Sequence, residues 1–495
     1  MAKPDFVRPE LTALMPAYKL CRDCYMGELA VKNRINYSQP SHNNGGGTGQ
    51  AMMLSPYLPD PSPASESESM RIKRYNDYVT RAVFYNVTKR TVKAMTGEVF
   101  SKYPLLTLGQ LDVLETDVNG AGQSLTQQAK DALTNLLLTG RGGFLADMPV
   151  NQTGASLADV RNRQLRPTIT HYDSESIINW RYRKVGGVYK LSLVVLSESY
   201  VASDDGFEAK TGRQLLVLRL DDNDRVESEI YRKADGNSEW VSQGINSVTD
   251  NKGAQLTEIP FFACGSVNND LEPDDIPIFD IAHLNIAHLR NSADYEESLA
   301  ISQPTLAISG LTQDWVDDVL ADGIAMGSRS GIMLPVGGKA ELLQPDVNDS
   351  NMTAMKHKED MMASLGAKLI ELGGSTNKTA TQSNNELAEQ TSVLSTLANN
   401  ISDALTKSVK ACARFMGYDD KDLVVTLNTD FGFAKMTPEQ RQQLLQEYQA
   451  GAITWAEYRG KLVENEIATE ENPETAKSVI EQEQGALIYG GDNEV

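Results

Sequence analysis

The sequence predicts an α+β protein, mixed in its first half and mostly helical in its second, and three observations carry that expectation. Between residues 165 and 262 apolar and polar residues alternate, the period of half-buried strands. On either side of that stretch apolar residues recur at spacings of three and four, the period of helices. Hydrophobic residues make up 40% and charged residues 23% of 495, a globular composition long enough for several domains.

The elements follow in order. Residues 10–26 form a helix with Leu11, Leu14, Met15, Tyr18, Cys21 and Tyr25 on one stripe. From 38 to 69 the chain is rich in Ser, Gly and Pro, including Gly45-Gly46-Gly47 and Pro56, Pro59, Pro61 and Pro63. Such a composition builds no core and reads as a flexible arm ordered only by a neighbour. One long helix is expected over 70–100, carrying Tyr75, Tyr78, Val79, Ala82, Val83 and Val87. Ser124 and Gln127 make a capping box for a helix through Leu133, Leu136 and Leu137, which Gly140 stops. A strand begins at Phe144-Leu145-Ala146. An antiparallel region contains Tyr189–Leu196, Leu215–Leu220 and Val226–Tyr231, with Asp221-Asp222-Asn223-Asp224 as a hairpin turn.

In the second half a helix starts near Pro277, a residue suited to a first turn. Phe279, Ala282, Ile286, Leu289 and Ala293 give it a narrow heptad-like stripe, as in a helix–helix seam. Gln303-Pro304 should end it. Residues 304–346 are short and irregular, strand-like at Thr305–Ser309 and Gly331–Pro335. A second helix begins near Asp349 with a stripe of Met352, Met355, Met362, Leu365 and Leu369, and stops at Gly373-Gly374. A polar loop of Gly, Ser, Thr and Asn spans 373–384, with Lys378 its one basic residue. A third helix covers about 385–416, its buried side marked by Leu394, Leu397, Ile401, Leu405, Val409 and Cys412. A strand, Leu423–Leu427, follows. Thr437-Pro438-Glu439-Gln440 and Thr454-Trp455-Ala456-Glu457 are two helix starts, and Gly451 between them ends the first helix.

The charge balance, 67 acidic against 46 basic residues for a net of −21, opposes attraction of nucleic acid through the overall field. The sequence shows neither a signal pattern nor an apolar run near the ~18 residues of a membrane span, so the expectation is a cytoplasmic protein or a particle assembled there. No phosphate loop appears: Gly338-Lys339 is followed by Ala340, and Gly460-Lys461 by Leu462. Cys21 and Cys24 lack the further ligands zinc needs, and Cys21 lies on an apolar stripe, so packing is expected there. His283 and His288, five apart, point to different helix faces, which is poor metal geometry, and read as surface or interface residues. The Asp221–Asp224 run breaks the calcium-loop pattern at Val226. No catalytic constellation stands out. Residues alone therefore predict a structural or assembly protein with no cofactor and no metal, not an enzyme.

The order of segments carries a resemblance. An α+β half, a heptad-patterned helix, a small irregular insert, a second long helix, a polar loop, a third long helix and a helical C-terminal region resemble the plan of bacteriophage portal proteins, the head-to-tail connectors. Leu137-Leu138-Thr139-Gly140-Arg141-Gly142-Gly143-Phe144-Leu145 looks like the helix-to-strand turn of portal wings. Pro277 to Asn285, Ser292 to Tyr295, Tyr172 to Trp180 and Met362 to Ala367 resemble a portal subfamily known mainly from phage and prophage sequences. Asn428-Thr429-Asp430-Phe431, with the helical hairpin around Gly451-Ala452-Ile453-Thr454, is similar to the region after the tunnel helix.

The resemblance spans residues 10–465. It implies a wing over 1–276 with its arm at 38–69, and stem helices over 277–303 and 348–372 flanking a clip at 304–347. It further implies a tunnel loop at 373–384, a tunnel helix and wing return over 385–435, and a crown over 436–495. The function implied is a twelve-subunit ring at one capsid vertex of a virion, assembled in the host cytoplasm. Such a ring is a passive channel for double-stranded DNA in packaging and ejection. Its implied partners are the major capsid protein, terminase and then head–tail adaptor proteins, with no membrane. The DNA-channel loop would comprise Gly373, Gly374, Ser375, Thr376, Asn377, Lys378, Thr379, Thr381 and Asn384, and 310–335 would meet terminase and adaptor. The alternatives are another virion structural protein, such as an adaptor or minor capsid protein, or a metal-dependent nuclease or hydrolase.

Overall fold

The computed structural model describes residues 3–33, 54–62, 65–148, 166–233, 239–250, 252–302, 305–317, 334–343, 349–365, 380–429, 438–464, 467–468 and 472–480. The chain is α+β and divides into two units, one of residues 1–377 with 396–427, the other of 378–395 with 428–495.

In the first unit, helices α1 (Pro9–Met26), α2 (Glu68–Arg81), α3 (Val87–Val99) and α4 (Leu125–Thr139) precede the main strands. Strand β1 (Leu105–Thr107) lies between α3 and α4. Strands β2 (Arg141–Asp147), β3 (Thr168–Asp173) and β9 (Phe261–Gly265) form an antiparallel sheet in the order β3-β2-β9. Strands β4 (Ile177–Val185), β5 (Val188–Asp204), β6 (Ala209–Leu220), β7 (Val226–Lys233) and β8 (Trp240–Ser247) form a five-stranded antiparallel meander. The core gathers Leu11 and Tyr18 of α1 against Trp180, Val194, Leu196, Leu218 and Val226 of the meander and Phe261 of β9. Each fully enclosed apolar side chain there contributes about 1.5–3 kcal/mol.

Then come α5 (Phe279–Ile301), β10 (Thr305–Ser309), β11 (Lys339–Leu343), α6 (Asp349–Ser364), the 37-residue α7 (Ala380–Met416), whose residues up to Ser395 belong to the second unit, and β12 (Val424–Thr426), which pairs antiparallel with β1. The second unit holds α8 (Pro438–Gln449) and α9 (Trp455–Glu464).

Several elements differ from expectation. The helix expected over 70–100 is two, broken at residues 82–86, because Asn86 caps α3 by accepting from the Lys89 amide at 2.9 Å. Of the arm expected over 38–69, residues 54–62 pack within the chain: Leu58 is buried, and the Tyr75 hydroxyl accepts from the Ser55 amide and donates to the Leu58 carbonyl. Average composition hid these two apolar anchors, Tyr57 and Leu58. Residues 34–53 lie outside the described residues. The second strand of the insert is Lys339–Leu343 rather than Gly331–Pro335; Leu334 and Pro335 are not in a strand, and 331–333 are outside the described residues. Helix α7 starts at Ala380, five residues before the expected 385. At α4 the Ser124 hydroxyl caps the Gln127 amide, but the Gln127 side chain turns to Asp131 instead of completing a box.

The hairpin turn is as expected: the Asp221 carboxylate accepts from the Asn223 and Arg225 amides, both at 2.8 Å. At α9 the reciprocal box forms, Thr454 N–H to Glu457 Oε2 at 2.7 Å and Glu457 N–H to Thr454 Oγ1 at 3.3 Å. Gly451, at φ 75°, ends α8's turn. The box expected at Thr437 lies outside the described residues.

Candidate assembly site: the α5–α6 pair and its insert

The motif from Leu137 to Leu145 places this site. Gly140 adopts the left-handed conformation, φ 71°, and a Cβ there would lie 2.6 Å from the Asp275 carbonyl oxygen. Only a glycine combines that turn with so close a neighbour. The segment entering α5 docks on the same turn: Ser266 N–H donates to Gly140 O at 2.8 Å, Ser266 Oγ to Asp275 O at 2.6 Å, and Ile278 N–H to Leu137 O at 3.2 Å.

Arg141, next in the motif, is fully buried, a role the sequence did not reveal. Its guanidinium donates to the carbonyls of Leu271, Ser174 and Ile177 at 2.6–3.0 Å. It lies 4.3 Å from the Trp180 ring centroid, as does Arg8. With carbonyls as its hydrogen-bond partners, burial lowers the Arg141 pKa to about 10.

Helix α5 has two working faces. Ala282, Ile286, Leu289 and Ala293 of its expected stripe are buried. Asn285, also fully buried, accepts from the Val87 and Thr88 amides, both at 3.2 Å, and from Thr88 Oγ1 at 3.0 Å; it donates to Tyr85 O at 2.7 Å. It thus caps α3 from another helix, satisfying amides that a helix start leaves open. Ser292 Oγ accepts from Val83 N–H, Asp294 from the Tyr78 hydroxyl, and Glu297 pairs with Arg74 and Arg81.

The other face meets α6. His288 shares a hydrogen bond of 3.1 Å with Glu359, and Asn291 accepts from Lys358 at 2.5 Å and reaches Asn351. Contacts that rise along α5 fall along α6, so the two helices run antiparallel. Strands β10 and β11 pair antiparallel from Thr305↔Leu343 to Ser309↔Lys339, so the insert is closed at its base by a two-stranded ladder. His288 is therefore buried within the chain rather than a surface residue, whereas His283 is exposed. The α6 stripe is only partly covered: Met362 is buried, while Met352 and Leu365 are 39% and 46% exposed. Leu369 lies outside the described residues.

Helix α7 buries Leu394, Leu397, Ile401, Leu405, Val409 and Cys412, the stripe the sequence marked. In the first unit Ser402 and Thr406 hydrogen-bond the backbone of Leu427 and Val425, tying α7 to β12. Of the expected channel loop, Thr381 and Asn384 lie in α7; Gly373, Gly374, Ser375, Thr376, Asn377, Lys378 and Thr379 lie outside the described residues.

Cys21 and Cys24 are both buried on α1; burial pushes the Cys21 thiol up to about 12 and that of Cys24 higher, so neither is a ready thiolate. Among the described residues no three His, Cys, Asp or Glu side chains gather as a metal site, and no helix is long and apolar enough to cross a membrane.

A family model described as a domain of unknown function, DUF4055, matches residues 277–416. No curated protein matches the sequence. Solved structures similar to the chain include one titled as the virion of a native gene transfer agent (GTA) particle, at 15% identity and a TM-score of 0.42, covering 80% of this chain and 93% of that one. Another is the neck of a native GTA particle computed with C12 symmetry, at 15% identity and TM-score 0.42, covering 77% and 92%. A third is the neck of an empty GTA particle computed with C6 symmetry, at 15% identity and TM-score 0.41, covering 80% and 93%.

Proposed function

We propose that this chain is a portal-type virion subunit: twelve copies form a ring at one capsid vertex, through which double-stranded DNA is packaged and ejected. The observation that carries the proposal is the block from α5 to α7. Two antiparallel helices hold a small insert closed by the β10–β11 ladder, and a 37-residue helix follows. The match at 277–416 coincides with that block. In this reading α5 and α6 are the stem, 304–347 the clip that meets terminase and then adaptor proteins, and α7 the tunnel helix.

The physics supports it. A closed ring needs each subunit to offer two different faces, and Met352 of α6 with Leu365 just past its end stay exposed for a neighbour to cover. Each phosphate neutralised by Lys or Arg adds affinity for DNA, so a ring whose every copy carries −21 holds its cargo weakly. In this reading the segment 373–379 ahead of α7 and the first turn of α7 face the bore, with Lys378 the charged contact. The chain hydrolyses no ATP itself; terminase does that work, and the major capsid protein surrounds the ring.

Native mass spectrometry and class-averaged electron microscopy of the purified protein test this. A ring of about twelve copies with an open axial channel is expected. A stable monomer or dimer at high concentration, alone and with its capsid partner, overturns the proposal.

A further inference from the structure

The meander contains an arm that the alternation pattern did not foretell. Strand β5 runs eight residues past the expected Leu196, to Asp204, and β6 begins at Ala209 instead of Leu215. Strand β4 pairs with β5 only as far as Leu196, and β7 with β6 only as far as Gln214. Among the described residues, 199–204 and 209–213 therefore pair only with each other. At roughly 3.3 Å per residue these five to six residues a strand make a two-stranded ribbon about 17–20 Å long. An isolated two-stranded ribbon is marginal by itself, so one kept at this length points to a contact at its end.

Its tip is ordered and presents one aromatic ring. The Asp204 carboxylate accepts from the Gly206 amide at 2.8 Å, and that of Asp205 from the Phe207 and Glu208 amides at 2.8 and 2.7 Å. Held on this turn, Phe207 is 103% exposed, and Val201 lower on the ribbon is 58% exposed. Asp204, Asp205 and Glu208 flank Phe207 in sequence on this turn, against one cation, Lys210. An ordered turn that exposes a whole phenyl ring has the form of an anchor residue awaiting its pocket.

The same chain carries a pocket of the opposite character. Where α1, α3 and α4 meet lies a cavity of about 340 Å³ with Tyr25 and Phe100 in its wall and Lys93 and Lys130 at its rim. Lys130 sits 5.3 Å from the Phe100 ring, and nearby Lys89 sits 5.8 Å from that of Tyr25. Among the described residues none of Lys89, Lys93 and Lys130 pairs with a carboxylate, although the chain holds 21 more acidic than basic residues. Thr96, also in the lining, has a buried hydroxyl without a partner among the described residues.

We infer that the acidic, Phe-tipped arm of one copy inserts into the basic, aromatic-walled pocket of the next. The contact joins two different surfaces of one chain, so it propagates head to tail, as a closed ring requires. Phe207 supplies the apolar anchor; Asp204 and Glu208 meet Lys93 and Lys130. This inference rests on the ring reading above.

The test uses the full chain. Gly97 lines the pocket, and a Cβ there meets nothing within 4 Å, so Gly97→Cys is tolerated; Phe207→Cys places the second thiol at the tip. All four native cysteines are buried and stay out of the reaction. With a mild chemical oxidant, the double variant should give a ladder of covalent multimers on a non-reducing gel, and neither single variant should. Separately, Lys93→Glu with Lys130→Glu should raise the concentration needed for assembly at least tenfold, and adding Asp204→Lys with Glu208→Lys should restore it. If the wild type assembles, yet the double-cysteine protein gives no ladder and charge reversal leaves assembly unchanged, the arm–pocket contact is overturned and the ring stands. A wild type that never assembles ends both.

Discussion

Replacing Asn285 by Leu should uncouple α5 from the start of α3. Asn285 is fully buried and makes four hydrogen bonds to residues 85–88. Leucine matches its size and makes none of them. Val87 and Thr88 are buried, so the Thr88 amide and hydroxyl lose their partner with no water to replace it, whereas the Val87 amide keeps the Tyr85 carbonyl at 2.9 Å. An unmade buried hydrogen bond costs about 1–3 kcal/mol, and these two share one acceptor atom, so they do not add in full. The expected loss is about 2–4 kcal/mol. Thr88→Val removes one of the same bonds. In the Asn285→Leu background its cost should shrink, giving a coupling of about 0.5–1 kcal/mol in a double-mutant cycle. Urea unfolding of the four proteins measures the cycle, and hydrogen exchange of the amides from Val87 to Val92 locates it. A cost below about 1 kcal/mol with unchanged protection of those amides would refute the argument that Asn285 caps α3.

Gly140→Ala should destabilise by about 2 kcal/mol or more, from left-handed strain of about 1–2 kcal/mol plus the contact with Asp275 O; Gly140→Asn should be nearly as harmful, because asparagine eases only the strain. An unchanged melting temperature for both would show that the Asp274–Asp275 segment yields freely. Thr454→Ala removes the cap of α9, and amide exchange at the start of that helix should speed up about fivefold, the equivalent of ~1 kcal/mol; unaltered exchange would count against the box. Burial lowers the His171 pKa to about 4, and its Nε2 has no partner among the described residues. The folded state therefore binds fewer protons than the unfolded one between pH 4 and about 6.5. Stability from this residue should be fully present above about 6.5 and fall as the pH drops toward 4. The pH slope of the urea midpoint should flatten in His171→Gln; an identical slope would rule His171 out as its source.

Local chemistry was legible wherever the partners were close in sequence. Thr454 and Glu457 lie three apart, so both halves of their box are visible in four letters, and Gly140 after a run of apolar residues announces a helix end. The stripe on α7 was legible because a helix that packs along its length repeats its burial every three or four residues. What escaped was chemistry assembled from distant segments. Asn285 reads as a polar residue in an apolar stripe until Val87 and Thr88 are brought to it across nearly two hundred positions. Arg141 reads as a surface cation until three carbonyls and Trp180 enclose it.

By itself, then, the sequence determined the α+β class, most element positions, the left-handed turn at Gly140 and the apolar seams of α5 and α7, because each follows from periodicity or from hydrogen bonds within one turn of chain. Only the tertiary structure decided the break between α2 and α3, the anchoring of residues 54–62, the β10–β11 ladder at the base of the insert, and the long arm of β5 and β6. Those depend on which remote backbone groups find partners. A ribbon of Ser, Glu, Tyr and Asp carries no burial pattern to read, and it is its ladder of hydrogen bonds to one neighbouring strand that makes it an arm.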